Sequence, residues 1–228
     1  MAHALTMAIR RELGRLADPV RAPQMQRYAK SAMPCRGVPA PVQRAAYAVL
    51  FAAHPLEDAA IWRRVVVELW TGAKYREERY AAIELLSDRR YRAFRTLDVL
   101  PLYERLIVEG AWWDLVDGIA SHLLGELLQV DPRAMKPAMR RWARDRDLWK
   151  RRSAIICQLG SKAETDRRLL ARCIEPNLDD RDFFVRKAIG WALRQYARTD
   201  PAWVQGYVER LGDRLSPLSR REALKHLR

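Results

Sequence analysis

With 228 residues, the chain is long enough for one sizeable domain, or one array of helical repeats, with a substantial buried core. Hydrophobic residues make up 49% of it and charged residues 31%, proportions that exclude intrinsic disorder. The 42 lysines and arginines exceed the 28 acidic residues and give a formal net charge of +14. Because each phosphate contact releases counterions, this excess favours nucleic acid as the partner over the alternative of a well-solvated, arginine-rich surface.

Several other classes of protein are disfavoured by the same sequence. No segment approaches the roughly 18 continuous apolar residues of a membrane span. Charged residues at 10, 11, 12 and 15 interrupt the apolar N-terminus, which therefore reads as an amphipathic helix and not as a signal peptide. The three cysteines (Cys35, Cys157 and Cys173) and the four histidines are scattered. We therefore expect no disulfide, no metal and no cofactor, and a reducing cytoplasmic location.

The spacing of apolar residues predicts an all-α chain, because no run alternates cleanly at period two. Helices are predicted over 3–17, 22–33, 41–53, 56–71, 75–87, 98–109, 112–129, 132–144, 148–160, 165–176, 183–198, 201–212 and 217–227. Pro132, Pro201 and Pro217 each fall in a predicted first turn, where proline is tolerated. Asp131 and Asp200 precede two of these helices as predicted N-caps.

A weak internal repeat favours a helical-repeat architecture. Asp147–Leu159 resembles Asp182–Leu193. Seven residues before the leucines at 86, 124, 159 and 193 stand Arg79, Asp117, Arg152 and Arg186, at intervals of 38, 35 and 34 residues. This period is close to that of stacked two-helix repeats such as HEAT. It predicts a curved solenoid of antiparallel helix pairs that brings Asp117, Arg152 and segment 186–191 together; a non-repetitive helical bundle is the alternative.

The stretch Ala-Trp-Trp-Asp-Leu-Val-Asp at 111–117 contains the residues most suggestive of chemistry. Trp113 and Asp117 lie one helical turn apart on one face, whereas Trp112 points about 100° away and can pack inwards. Glycine-rich phosphate loops and the G-x-S-x-G esterase motif are missing from the sequence. A carboxylate can stabilise an oxocarbenium-like transition state and orient water, and indole faces attract cations. One acid with aromatic rings would suffice for an N-alkylated purine, which is already cationic and leaves as a neutral base.

Ordered motifs extend over nearly the whole chain. They are Met25–Lys30 followed by Gly37–Pro41, Trp112–Asp117, Trp149–Ile155, Phe183–Arg194 and Leu215–Lys225. In these motifs the chain resembles the AlkD-like DNA glycosylases, the HEAT-like-repeat DNA alkylation repair enzymes. It departs from the family at Met33–Arg36, where relatives commonly carry phenylalanines around the proline. The resemblance implies a single glycosylase domain over 1–228.

The resemblance also implies an activity. The family excises cationic lesions such as N3-alkyladenine and N7-alkylguanine from double-stranded DNA, leaves an abasic site, and is thought to do so without turning the base into a pocket. Because no amine is indicated as a nucleophile, we expect a monofunctional enzyme without strand cleavage. We also expect it to act as a monomer without an obligate protein partner.

Site residues are carried over by position. Asp117 corresponds to the catalytic carboxylate, Trp113 and Trp191 to the catalytic aromatic residues, and Arg152 to the arginine near the lesion's phosphate. Further predicted DNA contacts are Tyr28, Arg151, Lys162, Lys187 and Arg194. Each has a plainer alternative: core packing for the tryptophans and Tyr28, a helix cap or arginine partner for Asp117, a generic phosphate contact for Arg152, and solvated surface charge for the other cations.

The sequence leaves two other functions open. A non-catalytic helical-repeat protein that binds branched or distorted DNA would share the basic surface but lack the aromatic–acid set. A protein-binding HEAT scaffold is the third interpretation, and it would not show the steep salt dependence of phosphate binding.

Overall fold

The computed structural model describes residues 2–227, and all regular elements in this range are helical, which confirms the predicted fold class. The α-helices are α1 (Ala4–Arg15), α2 (Ala22–Ala29), α3 (Ala40–Ala53), α4 (Ala59–Thr71), α5 (Arg76–Ser87), α6 (Leu100–Gly110), α7 (Trp113–Gly118), α8 (Gly125–Val130), α9 (Pro132–Trp142), α10 (Leu148–Ile156), α11 (Arg167–Ile174), α12 (Phe183–Tyr196), α13 (Pro201–Leu211) and α14 (Pro217–Ala223). Every predicted helix has a counterpart, and most bounds agree to within about one turn. The segment 112–129 differs, because it divides into α7, a π-helical stretch and α8.

Aspartates at helix starts explain much of this agreement. The carboxylates of Asp131 and Asp200 accept hydrogen bonds from the backbone N–H of Ala134 and Trp203, both at 3.0 Å, which confirms the two predicted N-caps. Asp147, Asp166 and Asp182 cap α10, α11 and α12 in the same way. Each cap satisfies backbone donors that the first helical turn leaves without an intrahelical acceptor.

The helices group into two compact units, Met1–Thr96 and Leu97–Arg228. In the first, α1, α3, α4 and α5 pack on one another around fully buried side chains such as Ile9, Trp62 and Leu85. In the second, α10 contacts α6, α7, α9, α11 and α12, and α14 packs along α12. Successive packed helices are consistent with the predicted helical-repeat solenoid. The assignment of 1–228 to one domain stays a prediction.

A buried carboxylate organises the first unit around the departure at Met33–Arg36. Glu77 is fully buried, and its carboxylate accepts hydrogen bonds from the backbone N–H groups of Arg36 (2.9 Å), Gly37 (3.0 Å) and Val38 (3.3 Å). Gly37 has φ +83°, and a Cβ there would lie 2.2 Å from the Asp18 carbonyl oxygen. Only glycine therefore fits this tight turn, which aims three amides at one acid.

The π-helical stretch Ile119–Leu124 follows directly after Asp117 in the second unit. The Ser121 hydroxyl donates to the Asp117 carbonyl oxygen at 2.6 Å. At the end of the stretch, a Cβ on Gly125 would lie 2.8 Å from the Cys157 carbonyl oxygen, so the start of α8 approaches α10 closely. The wider π turn changes the helical register between the Trp113–Asp117 face and the anchored α8, and such turns are frequent at functional sites.

All three cysteines are buried, and burial raises the pKa of the Cys173 thiol to about 12 and that of Cys157 well above its usual range.

None of the helices within residues 2–227 is both long enough and apolar enough to cross a bilayer.

Candidate active site

A pocket of about 310 Å³ in the second unit lies among α7, α10 and α12. Its lining consists of Trp113, Asp117, Arg152, Phe183, Phe184, Lys187, Trp191 and Arg194. The repeat register predicted that Asp117, Arg152 and segment 186–191 would meet, although they are far apart in sequence, and this convergence is confirmed. The pocket also contains both predicted catalytic tryptophans; the catalytic roles themselves stay predictions.

Asp117 and Arg152 form a bidentate ion pair at the base of the pocket. The Arg152 Nε and Nη2 groups donate to the two Asp117 carboxylate oxygens at 2.8 and 2.7 Å, and its Nη1 donates to the Phe184 carbonyl oxygen at 2.6 Å. The Arg152 side chain is only 4% exposed, whereas that of Asp117 is 16% exposed. The guanidinium therefore fixes the plane of the carboxylate while leaving part of it open to the pocket. Contact of Arg152 with a DNA phosphate stays a prediction.

The electrostatic state of Asp117 reflects its partial burial. Burial raises the pKa of the Asp117 carboxyl above its usual value, and the Arg152 guanidinium opposes part of that rise. The negative charge of Asp114, three residues earlier, raises it further. Asp117 thus carries a charge that is poorly hydrated, and electrostatic attraction to a nearby cation is strengthened where water is excluded.

Aromatic rings form the walls of the pocket. The Arg152 Cζ lies 6.0 Å from the ring centroids of both Trp191 and Phe184, so the site already holds one cation near two rings. Behind this wall, Trp112 packs against Trp149 and Phe184, with centroid distances of 6.1 and 5.2 Å. This arrangement confirms that Trp112 packs with other aromatic rings while the neighbouring Trp113 faces the pocket. Trp191 lines the pocket as well and is only partly buried.

Lys187 and Arg194, two predicted DNA contacts, stand on the same wall as Trp191. Both pair with Glu222 of α14: the Lys187 Nζ lies 2.7 Å from Glu222 Oε1, and Arg194 donates to Glu222 Oε2. The sequence did not predict a role for Glu222, although the residue lies within the family-like motif Leu215–Lys225. Phe183 and Phe184, which also line the pocket, likewise lie within the family-like motif Phe183–Arg194 and had no predicted role.

The remaining predicted DNA contacts lie outside this pocket. Arg151 pairs with Asp180 at 2.9 Å and donates to the carbonyl oxygens of Asp145 and Arg146. Lys162 is exposed at a second cleft of about 210 Å³ between α10, α11 and α12, where Arg198 is also exposed. Tyr28, which is 77% exposed, belongs to the first unit. DNA contact by each of these residues stays a prediction.

Comparison with known proteins gives this geometry a context. The sequence model of the DNA alkylation repair enzyme family matches residues 9–227, nearly the full chain. The chain belongs to this family. The segments α7, α10 and α12, which converge on the pocket, all lie within the matched range.

Solved structures agree with the assignment. A structure from Enterococcus faecalis, described as a predicted DNA alkylation repair enzyme, shares 30% sequence identity; the alignment covers 92% of this chain and 96% of that one, with a TM-score of 0.81. The protein smu.31 from Streptococcus mutans UA159 shares 13% identity over 98% of this chain and 99% of its own, with a TM-score of 0.63, and supports the fold alone. No curated protein matches the chain significantly.

Proposed function

We propose that this member of the DNA alkylation repair family is a monofunctional DNA glycosylase. It hydrolyses the N-glycosidic bond of cationic alkylpurines, such as N3-alkyladenine and N7-alkylguanine, in duplex DNA and leaves an abasic site. The proposal rests above all on one observation: a partly open carboxylate, Asp117, shares a pocket with two indole rings, Trp113 and Trp191.

The reaction needs little proton chemistry from the protein. When the glycosidic bond breaks, its electron pair moves to the purine nitrogen, so the cationic base leaves as a neutral molecule without a general acid. The deoxyribose is left with an oxocarbenium-like C1′, which the Asp117 carboxylate stabilises by charge. Water then adds to C1′ and releases one proton to the surrounding solvent, which gives the neutral abasic sugar. Asp117 faces the pocket with the lone pairs that Arg152 leaves unused and can orient this water.

Arg152 and the rings prepare the site before the lesion arrives. The bidentate pair holds the carboxylate in one orientation, so little reorganisation is needed as positive charge develops on the sugar. Trp113 and Trp191 offer ring faces to a cationic nucleoside, an interaction of roughly 0.5–2 kcal/mol when water is excluded. Indole and charged groups suit a sugar and its flanking phosphates better than the hydrogen-bonding edge of a base, which agrees with excision without base flipping.

The pocket contains an amine, that of Lys187, which a lyase step would need as its nucleophile. The Lys187 Nζ forms an ion pair with Glu222. This ion pair holds the amine against α14 instead of leaving it free to attack an abasic sugar. We therefore keep the monofunctional assignment, in which the product retains an intact strand.

The test is Asp117→Asn with duplex DNA carrying a single 7-methylguanine. Release of free base by the variant should fall by roughly 100-fold or more, the scale of losing one electrostatic stabiliser. Affinity for undamaged duplex should change little, because the Arg152 side chain that loses its charged partner is only 4% exposed and keeps its hydrogen bond to the Phe184 carbonyl oxygen. Asp179→Asn, which removes the charge of an exposed acid, is the control for the charge change. Thermal unfolding of Asp117→Asn measures how much stability is lost when buried Arg152 no longer has a charged partner. Undiminished excision by Asp117→Asn would remove the proposed mechanism. Wild-type protein that binds DNA without releasing base would instead fit the non-catalytic alternative.

A further inference from the structure

Glu222 of α14 connects the pocket wall to the helix behind it. Its carboxylate is largely buried and contacts two cations of the wall at once, with Lys187 Nζ 2.7 Å from one oxygen and Arg194 donating to the other. The hydrogen bond from Lys187, together with the nearby charge of Arg194, keeps the pKa of Glu222 below its usual range. At neutral pH the acid is therefore charged, and it neutralises part of the wall.

The position of Glu222 is fixed by an unusually close helix contact. A Cβ on Gly190 would lie 2.5 Å from the Glu222 Cβ and 2.8 Å from the Ser219 carbonyl oxygen, so α12 and α14 touch where only glycine fits. The Ser219 hydroxyl also donates to the Arg186 carbonyl oxygen at 2.8 Å. Gly190 stands between Lys187 and Arg194 on α12, which places the acid between the two cations. The close contact between α12 and α14 therefore determines where Glu222 holds Lys187 and Arg194.

We propose that Glu222 is a positioning residue that holds Lys187 and Arg194 beside Trp191 and limits the net charge that the wall presents to DNA. This inference rests on the proposed function, because both cations line the pocket assigned to the lesion nucleotide. Three cations of the site face only two carboxylates, Asp117 and Glu222. Without Glu222 the surplus of positive charge next to a cationic purine would double.

Loss of the Glu222 charge should act on binding and on chemistry in opposite directions. One additional unneutralised cation strengthens contact with any phosphate backbone, damaged or not. The same change releases Lys187 and Arg194 from their fixed positions and repels the cationic base. Glu222→Gln should therefore bind undamaged DNA more tightly yet excise more slowly. A merely structural role would predict weaker binding and slower excision together.

The experiment compares Glu222→Gln with Glu209→Gln, which removes the same charge from an exposed site on α13. Affinity for undamaged duplex is measured over a salt series, and excision of 7-methylguanine under single-turnover, saturating conditions. For Glu222→Gln we expect affinity at low salt to rise about 5-fold and the slope of log K against log salt to steepen by about 1. The excision rate constant should fall by roughly 10-fold, in line with losing the alignment of charged groups. Glu209→Gln should change neither quantity.

A second pair of variants tests the route of the effect. In a Lys187→Gln background, the affinity gain from Glu222→Gln should shrink to 2-fold or less, because one of the two released cations is already gone. Unchanged or weaker DNA binding by Glu222→Gln, or an equal gain in the Lys187→Gln background, would overturn the proposal. If the wild-type protein shows no excision, the proposed function fails, and the binding comparison with undamaged DNA still decides whether Glu222 restrains the charge of this wall.

Discussion

Each unit of the molecule contains a largely buried helical carboxylate, and the two carboxylates accept hydrogen bonds from different kinds of donor. Glu77 of the first unit is sealed from solvent and accepts hydrogen bonds from three successive backbone amides, those of Arg36, Gly37 and Val38. Asp117 of the second unit is held by the side chain of Arg152 and stays 16% exposed at an open pocket.

The difference shows which buried acids can do chemistry. Backbone amides that converge on Glu77 tie a turn to a helix, and no route leads from that acid to a substrate in the described structure. The Asp117–Arg152 pair instead borders a space large enough for part of a nucleotide, with indole rings on its walls. Burial alone therefore does not mark a candidate catalytic carboxylate; the proposal for Asp117 rests on its partial access to a pocket lined by aromatic rings.

The largest effect expected from this comparison is on stability, at Glu77. Glu77→Gln replaces one acceptor oxygen with a donor facing backbone N–H groups, which should lower the free energy of unfolding by about 3 kcal/mol. Chemical denaturation of the variant measures this loss, with Glu57→Gln at an exposed site as the control. Excision per folded molecule should stay near the wild-type value. A stable Glu77→Gln variant, or a folded one without excision, would contradict the structural role assigned to Glu77.

The next effect is on the pH dependence of excision, through Asp117. Because only the ionised carboxylate stabilises the sugar cation, the single-turnover rate should fall about 10-fold per pH unit below the pKa of Asp117. That pKa is raised, so the fall should begin at a higher pH than an ordinary aspartate, near 3.9, would give. Asp117→Asn should show a low rate without this acid limb. A wild-type rate that stays level down to pH 4 would argue against Asp117 as the ionised stabiliser.

The smallest effect concerns the second cleft of the same unit. Lys162→Gln removes an exposed cation at its rim, which should lower the salt slope of DNA binding by about 1 and leave single-turnover excision at saturation unchanged. Lys136→Gln is the matched control, because Lys136 is already paired with Asp166 at 2.7 Å. An unchanged salt slope for Lys162→Gln would place that cleft outside the DNA contact surface.

Much of the fold could be predicted because local signals and packing agree. Asp131 and Asp200, followed by prolines, marked helix starts that the structure reproduces. The division of 112–129 could not be predicted, since a π-helical stretch leaves no distinct apolar period in the sequence. Grouping of the helices into two units also depends on packing that no single helix encodes.

The sequence could predict which residues form the candidate site, but not the contacts that their side chains make. Repeat register predicted that Asp117, Arg152 and segment 186–191 would meet, since equivalent helix positions recur on neighbouring repeats, and the family resemblance pointed to Trp191 within that segment. That Arg152 turns its guanidinium onto Asp117 depends on a side-chain conformation, which spacing does not specify. A role for Glu222 could not be predicted, because it depends on the close contact with Gly190 on another helix, which exists only when α12 and α14 pack together.

Burial of the three cysteines carries a consequence for the chemical survival of the protein. Electrophiles that damage DNA also attack sulfur, and they react with the thiolate rather than the protonated thiol. Cys157 and Cys173 lie in the interior with strongly raised pKa values, and Cys35 is buried as well. The sulfur atoms of Cys157 and Cys173 are shielded both by lack of access and by lack of charge, so we expect alkylating agents to modify them slowly.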